Sequence, residues 1–268
     1  MRSNSQGNLM KVGRVILFTA LVFNLLTAAG VSRPALREAW AMTCRQGLNE
    51  KIPLRSTDRL PEAGGEARVE RHGGTTHIDV EIDSMKPASL FGGDYNTYVL
   101  WAVPPMGPAE NLGECILDGG RSRLHAATAA TSFAILVTAE PHFFVSAPSA
   151  FVVLQNKPNT QGRGIQYPVV EGVYNFERTS LEDRKQAKGR VHSEVRQAFT
   201  AVRLAQRAGA AALAKEEFGR AQAALDQTLS LWRQRGDRTE IARQARQTVR
   251  LAVAAQRFAE GRDPPVRD

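Results

Sequence analysis

The chain has 268 residues, a length that suggests about two domains. Its composition, 43% hydrophobic and 23% charged, is that of a folded protein and excludes a disordered or collagen-like one. The formal net charge of +8 is unevenly placed: residues 190–268 carry 15 basic and 9 acidic side chains, residues 1–29 three basic and none acidic, and the middle is nearly neutral.

In chain order, the first element is a targeting segment. Lys11 and Arg14 precede an apolar run from Val15 that ends in Thr27, Ala28, Ala29 and Gly30. A positive n-region, an apolar h-region and a small-residue exit predict a signal peptide over residues 1–29, cleaved after Ala29. The alternative is an uncleaved anchor over residues 15–31. That run is 17 residues long and interrupted by Asn24, whereas a spanning helix needs roughly 20 apolar residues. If retained, its preceding positive charges would keep the N-terminus cytoplasmic. Either way the remainder is exported, to the periplasm or beyond the cell. No cysteine closes the apolar run, so no lipid anchor is expected there.

Residues 30–64 read as an irregular lead segment. In an oxidising compartment its Cys44 can pair with Cys115, and such a bridge would close a long loop worth about 4 kcal/mol in the chain-entropy account. Two unrelated thiols, with Cys115 a small buried residue on its strand, are the plainer reading.

Residues 65–157 alternate strand and turn. Ala67 and Val69, a turn at Gly73-Gly74, then Ile78, Val80 and Ile82 alternating with His77, Asp79 and Glu81, predict a hairpin with one apolar face. "TYVLWAV", "NLGECIL", "SRLHAAT", "SFAILVTAE" and "AFVVLQN" follow, the first ended by the proline and glycine run 104–108. Seven strands with no intervening helix predict an immunoglobulin-like antiparallel β-sandwich, hence an α+β chain once the C-terminal helices are added. Tyr98 and Trp101 fall on opposite faces of one strand, so only one of the two is expected in the core.

The order "YVLWAV…NLGE…LDGGRSRL…SFAILVTAEP…PSAFVVLQN", residues 97–156, resembles the extracytoplasmic β domain of membrane-bound anti-sigma factors of the anti-sigma-K type. That resemblance implies an exported β domain and, in its stronger form, an envelope sensor or regulator anchored by residues 15–31. It departs at the N-terminus: those factors carry a cytoplasmic sigma-binding domain before their membrane helix, and here 14 residues precede the apolar run. A direct anti-sigma role is therefore not expected.

Residues 158–189 read as a linker. Beyond it, Val191, Val195, Ala198, Val202 and Ala205 step by four and three. So do Ala214, Phe218, Ala221, Leu225, Thr228 and Trp232, and then Ile241, Ala245, Thr248, Ala252, Ala255 and Ala259. Each series marks one face of a helix. Breaks at Gly209 and Gly236, and the capping spacing of Asp237 with Glu240, divide residues 190–260 into a three-helix antiparallel bundle. A disordered tail, 261–268, follows. "AGAAALAKEEFGRAQAALDQTLSLW" and "ARQARQTVRLAVAAQRFAEG" resemble an alanine-rich helical domain of unknown function in bacterial envelope lipoproteins, often found before OmpA-like peptidoglycan-binding domains. No such domain is expected after residue 260.

Export excludes nucleic acid as the partner of the basic helices. Their arginines read as a solvated face, and the functional version is contact of Arg196, Arg203, Arg207, Arg243, Arg246, Arg250 and Arg257 with anionic lipid or wall polymer. Motifs of catalysis are missing: the histidines His72, His77, His125, His142 and His192 form no HExxH, and no P-loop, GxSxG or zinc-spaced cysteine pair occurs. Asp94, after Gly92-Gly93, reads as a turn residue. The expectation is an exported, non-catalytic binding or scaffolding protein of the cell envelope without cofactor or metal, with an envelope protein, anionic lipid or wall polymer as partner. The catalytic alternative is a hydrolase assembled from distant residues such as His77, Asp79 and Glu81.

Overall fold

A run such as Thr97–Val103, apolar at consecutive positions rather than alternate ones, can be buried only if both faces of its strand are covered. The computed structural model, which describes residues 35–157, 162–170 and 192–262, covers both. The segment before Ala35, with the predicted signal, lies outside the described residues, as do 171–191 and the last six residues of the tail.

The described residues form one α+β unit with ten antiparallel strands. β1 is Ala35–Thr43, β2 Asn49–Ser56, β3 Gly64–His72, β4 Thr75–Asp83 and β5 Thr97–Val103. β6 is Glu110–Glu114, β7 Ser122–Thr128, β8 Ser132–Glu140, β9 Val152–Asn156 and β10 Arg163–Val169. Hydrogen bonding runs β7-β4-β3-β2-β9-β8-β5-β6. β6 comes back beside β7, where Thr128 Oγ1 donates to Glu110 Oε2 at 2.5 Å, so the sheet nearly closes on itself.

Inside this curl lie Ile52, Leu54, Ala67, Val69, Ile78, Val80, Ile82, Tyr98, Leu100, Phe133, Ile135, Val137 and Leu154. The predicted β3–β4 hairpin is present. Gly73 and Gly74 both adopt positive φ, 54° and 89°, as a two-residue turn of matching twist requires.

A second core explains the buried run of β5. β1 and β10 pair over Ala35–Ala41 and Arg163–Val169 and lie across the outer side of β5 and β8. Ala39, Ala41, Ile165, Tyr167 and Val169 pack there on Val99, Trp101, Val103, Ala134 and Leu136. β1 then passes to β8, pairing Met42 with Phe133. Asn156 fixes this junction, its Oδ1 accepting from Ile135 N and its Nδ2 donating to Trp40 O.

Three expectations are corrected. Residues 30–64 are not irregular throughout, since they supply β1 and β2. Residues 158–189 are not a plain linker, since they supply β10. Short alternations broken by Pro53 and Gly164 concealed these strands, which are stable because they cover other strands. Tyr98 and Trp101 are both buried, each in its own core, because the sheet has two apolar sides at β5. Trp101 Nε1 donates to Thr138 Oγ1 at 2.7 Å, which satisfies the indole.

The helices are α1 Ser193–Arg207, the single turn α2 Ala210–Leu213, α3 Lys215–Arg233 and α4 Arg238–Ala259. The predicted stripes face inward: Ala198, Val202, Ala205, Phe218, Ala221, Leu225, Ala245, Ala252 and Ala255 share a core. Alanine at these positions lets α4 lie against both α1 and α3. Asp237 caps α4, accepting from Thr239 N and Glu240 N. At the end of α3, Arg235 rather than Gly236 takes the left-handed conformation, φ 56°, and Gly236 N reaches back to Leu231 O.

Candidate functional site

Helix α1 meets the sheet through polar contacts. The loop before β5 carries Gly92 and Gly93 at positive φ, 84° and 59°, and this turn sets Asp94 beneath the helix, 2% exposed. Arg203 and Arg207, one turn apart on α1, both pair with its carboxylate. Asn96 Nδ2 donates to Thr200 Oγ1 at 3.0 Å, and Ser193 Oγ donates to Asn96 O at 2.9 Å.

A second carboxylate ties the same helices to β6. Glu114 Oε1 accepts from Thr97 Oγ1 at 2.6 Å and from Gln197 Nε2 at 2.6 Å, while Oε2 pairs with Arg246 of α4. Gln197 is itself fully enclosed and accepts from Phe143 N at 2.8 Å. The Arg246 guanidinium lies 4.6 Å from the centre of the Phe143 ring. One carboxylate from the loop before β5 and one from β6 thus face three arginines of the helices, which ties the two layers together.

Deeper, Glu140 lies fully enclosed at the end of β8; its Oε1 accepts from Thr138 Oγ1 at 2.5 Å and Ser149 N at 2.7 Å. His142, two residues on, is buried, and burial lowers its pKa to about 3, so it is neutral. Its Nδ1 has no hydrogen-bond partner among the described residues.

Beside the Asp94 pairs a cavity of about 310 Å³ opens between α1, α3 and the loop before β5. Ser89, Gly93 and Asn96 form its floor, Val195, Arg196, Phe199, Thr200 and Arg203 one wall, and Leu229 and Trp232 the other. Among the described residues its lining includes two arginines and no acidic side chain. Burial, then the nearby Arg207 charge, lowers the pKa of Arg203, and Arg203 Nε has no acceptor among the described residues.

The predicted anionic-surface arginines therefore divide. Arg203, Arg207 and Arg246 each pair with a buried carboxylate while part of the side chain stays open to solvent. Arg196 lines the cavity, Arg250 lies 6.0 Å from the Phe144 ring centre, Arg243 is exposed beside Glu240, and Arg257 belongs to the last turn of α4. Helical spacing identified the basic positions but could not show that acids from the sheet lie opposite three of them.

In the structure Cys44 and Cys115 are free thiols. Cys44 N bonds to Thr131 O at one end of β8, whereas Cys115 N bonds to Tyr98 O, opposite Ala139 near the other. Eight residues of strand separate those ends, about 26 Å, far beyond the reach of a disulfide. Burial is the main cause that raises both thiols, Cys44 to about 11 and Cys115 to about 12.

His77, Asp79 and Glu81 stand on the exposed side of β4, where His125 Nδ1 approaches Asp79 Oδ1 at 2.5 Å and Arg123 pairs with Glu81. His72 pairs with Glu70. Among the described residues no group of three His, Cys, Asp or Glu side chains has metal-binding geometry, and no helix is long and apolar enough to cross a membrane. Compared with known protein families, curated proteins and solved structures, the chain matches none.

Proposed function

We propose that this chain is an exported protein of the cell envelope that acts without catalysis, as a binding or scaffolding module. The observation that carries the reading is the cavity at the helix–sheet seam, held in shape by the Asp94 and Glu114 ion pairs. A preformed concavity with apolar walls and a few convergent polar groups is the usual form of a ligand site. Export rests on the sequence of residues 1–29 and on the resemblances of residues 97–156 and 190–260. In this reading the curled sheet is an immunoglobulin-like sandwich whose layers are joined through β8, and α1, α3 and α4 are a three-helix antiparallel bundle. The seven strands within Gly64–Asn156 and the packing of α4 on both other helices support those assignments.

The test is capture. Tagged chain, immobilised and washed with envelope extract, should retain a lipid, wall fragment or envelope protein identified by mass spectrometry. A variant with the cavity blocked by Leu229→Trp should lose it. Retention of nothing beyond the untagged control, or equal retention by the blocked variant, would contradict the reading.

A further inference from the structure

We infer that the outward face of β1 and β10 binds an amino-sugar chain, with one pyranose ring stacked on Trp40 and its ammonium group paired with Glu38. The inference goes beyond the proposed role and uses neither the cavity at the helix–sheet seam nor export.

The face follows from strand alternation. Ala39, Ala41, Ile165, Tyr167 and Val169 turn inward to the second core, so Leu36, Glu38 and Trp40 of β1 turn outward with Gly164, Gln166 and Pro168 of β10. The register sets them in three rows: Trp40 beside Gly164, Glu38 beside Gln166, and Leu36 beside Pro168. Leu36 is 59% exposed and Trp40 40%. The space where a Gly164 side chain would stand is open, so nothing from β10 shields that flank of the indole.

Three observations select the ligand. The first is chemistry. A pyranose ring has C–H faces that cover an aromatic plane and hydroxyls at its rim, and here an indole stands one row, about 7 Å along the strand, from a carboxylate and an amide. The second is that these groups are unengaged. Among the described residues no hydrogen bond, ion pair or ring contact involves the side chain of Glu38, Trp40 or Gln166, and Trp40 meets Asn156 only through its backbone carbonyl. The third is charge. Glu38 is the one charged side chain of the outward rows, because alternation turns Arg37 and Arg163 to the other side, Arg37 beside Tyr167. A carboxylate without a cation favours a sugar that brings one, and an ammonium close to the indole adds a cation–π attraction. Size favours an oligosaccharide over a second copy of the chain. Two strands and five residues make a patch of about 10 by 13 Å, well short of the roughly 800 Å² a side that a stable protein interface buries. It fits two or three linked rings.

The test is isothermal titration of the purified chain at pH 6 with three β-1,4-linked tetramers that differ only at the second ring carbon: glucosamine, N-acetylglucosamine and glucose. The glucosamine tetramer should bind at least tenfold more tightly than the other two, the worth of one charge-assisted contact. Glu38→Gln should bring its affinity down to that of the glucose tetramer. Trp40→Ala should weaken it at least tenfold, and Trp40→Phe, which keeps an aromatic plane, should restore much of the loss. These side chains are exposed, so the variants should keep the parent's thermal midpoint, which is measured alongside. Leu229→Trp, which blocks the seam cavity, should leave glucosamine binding unchanged. Equal affinity for the three tetramers would overturn the inference. So would unchanged glucosamine binding in Glu38→Gln or Trp40→Ala, or no binding of the glucosamine tetramer at all. Failure here with successful capture from extract would reject this face as a sugar site and leave the proposed binding role standing.

Discussion

Lowering the pH from 8 to 5 should weaken the fold through His142. The imidazole is 4% exposed, and burial lowers its pKa from 6.5 to about 3. The sign follows directly. The unfolded chain takes up a proton as the pH falls through 6.5, while the folded chain stays neutral at this site until about 3. Stability from the neutral histidine is therefore complete above 6.5 and is lost between 6.5 and 3. At pH 5 the unfolded state is favoured by about 2 kcal/mol relative to pH 8, and at pH 4 by more than 3 kcal/mol. For a chain of this size, 2 kcal/mol corresponds to about 6 °C in the thermal midpoint. Guanidinium unfolding at pH 8 and pH 5, for the parent and His142→Leu, isolates this contribution as a difference of differences, because the other titrating groups are common to both proteins. The variant should lose about 2 kcal/mol less than the parent over the same interval. An identical pH dependence in the two proteins would refute the reasoning.

Glu114→Leu should destabilise by about 3 kcal/mol, because it strands Arg246 and Gln197 at the seam, and a chemical denaturation series measures it. Trp101→Phe should cost about 1–3 kcal/mol through the lost bond to Thr138, with the circular dichroism spectrum of the folded chain unchanged. Gly65→Ala should also destabilise, by about 2 kcal/mol, because the added Cβ would stand 2.5 Å from Glu81 O of the neighbouring strand; Gly64→Ala, with open space at its Cβ, is the control. Neither thiol should react with an aromatic disulfide reagent in the native protein at pH 8, since burial keeps both protonated, and two equivalents should appear in denaturant without reductant. A chain that yields no thiols under those conditions carries the bridge instead.

Most of the local structure was legible. The seven strands within Gly64–Asn156 follow from alternation and glycine turns, and the helix stripes from their steps of four and three. What was hidden depends on contacts between distant segments. β1, β2 and β10 have weak patterns of their own and are strands because β5 and β8 need covering and β3 and β9 need partners. The second burial of Trp101 has the same cause.

The seam was less legible still. Asp94 follows two glycines and looks like a turn residue, and only the fold places it under Arg203 and Arg207, more than a hundred positions later. Nothing local identified Glu114 as the partner of Arg246, or Phe199, Leu229 and Trp232 as walls of one cavity.

The most direct test of the central claim, export of a binding module, is the N-terminal mass of the chain recovered from cytosolic, membrane and soluble envelope fractions of an expressing bacterium. The account predicts a chain beginning near Gly30 in the soluble envelope fraction. Full-length chain confined to the cytosol would contradict it.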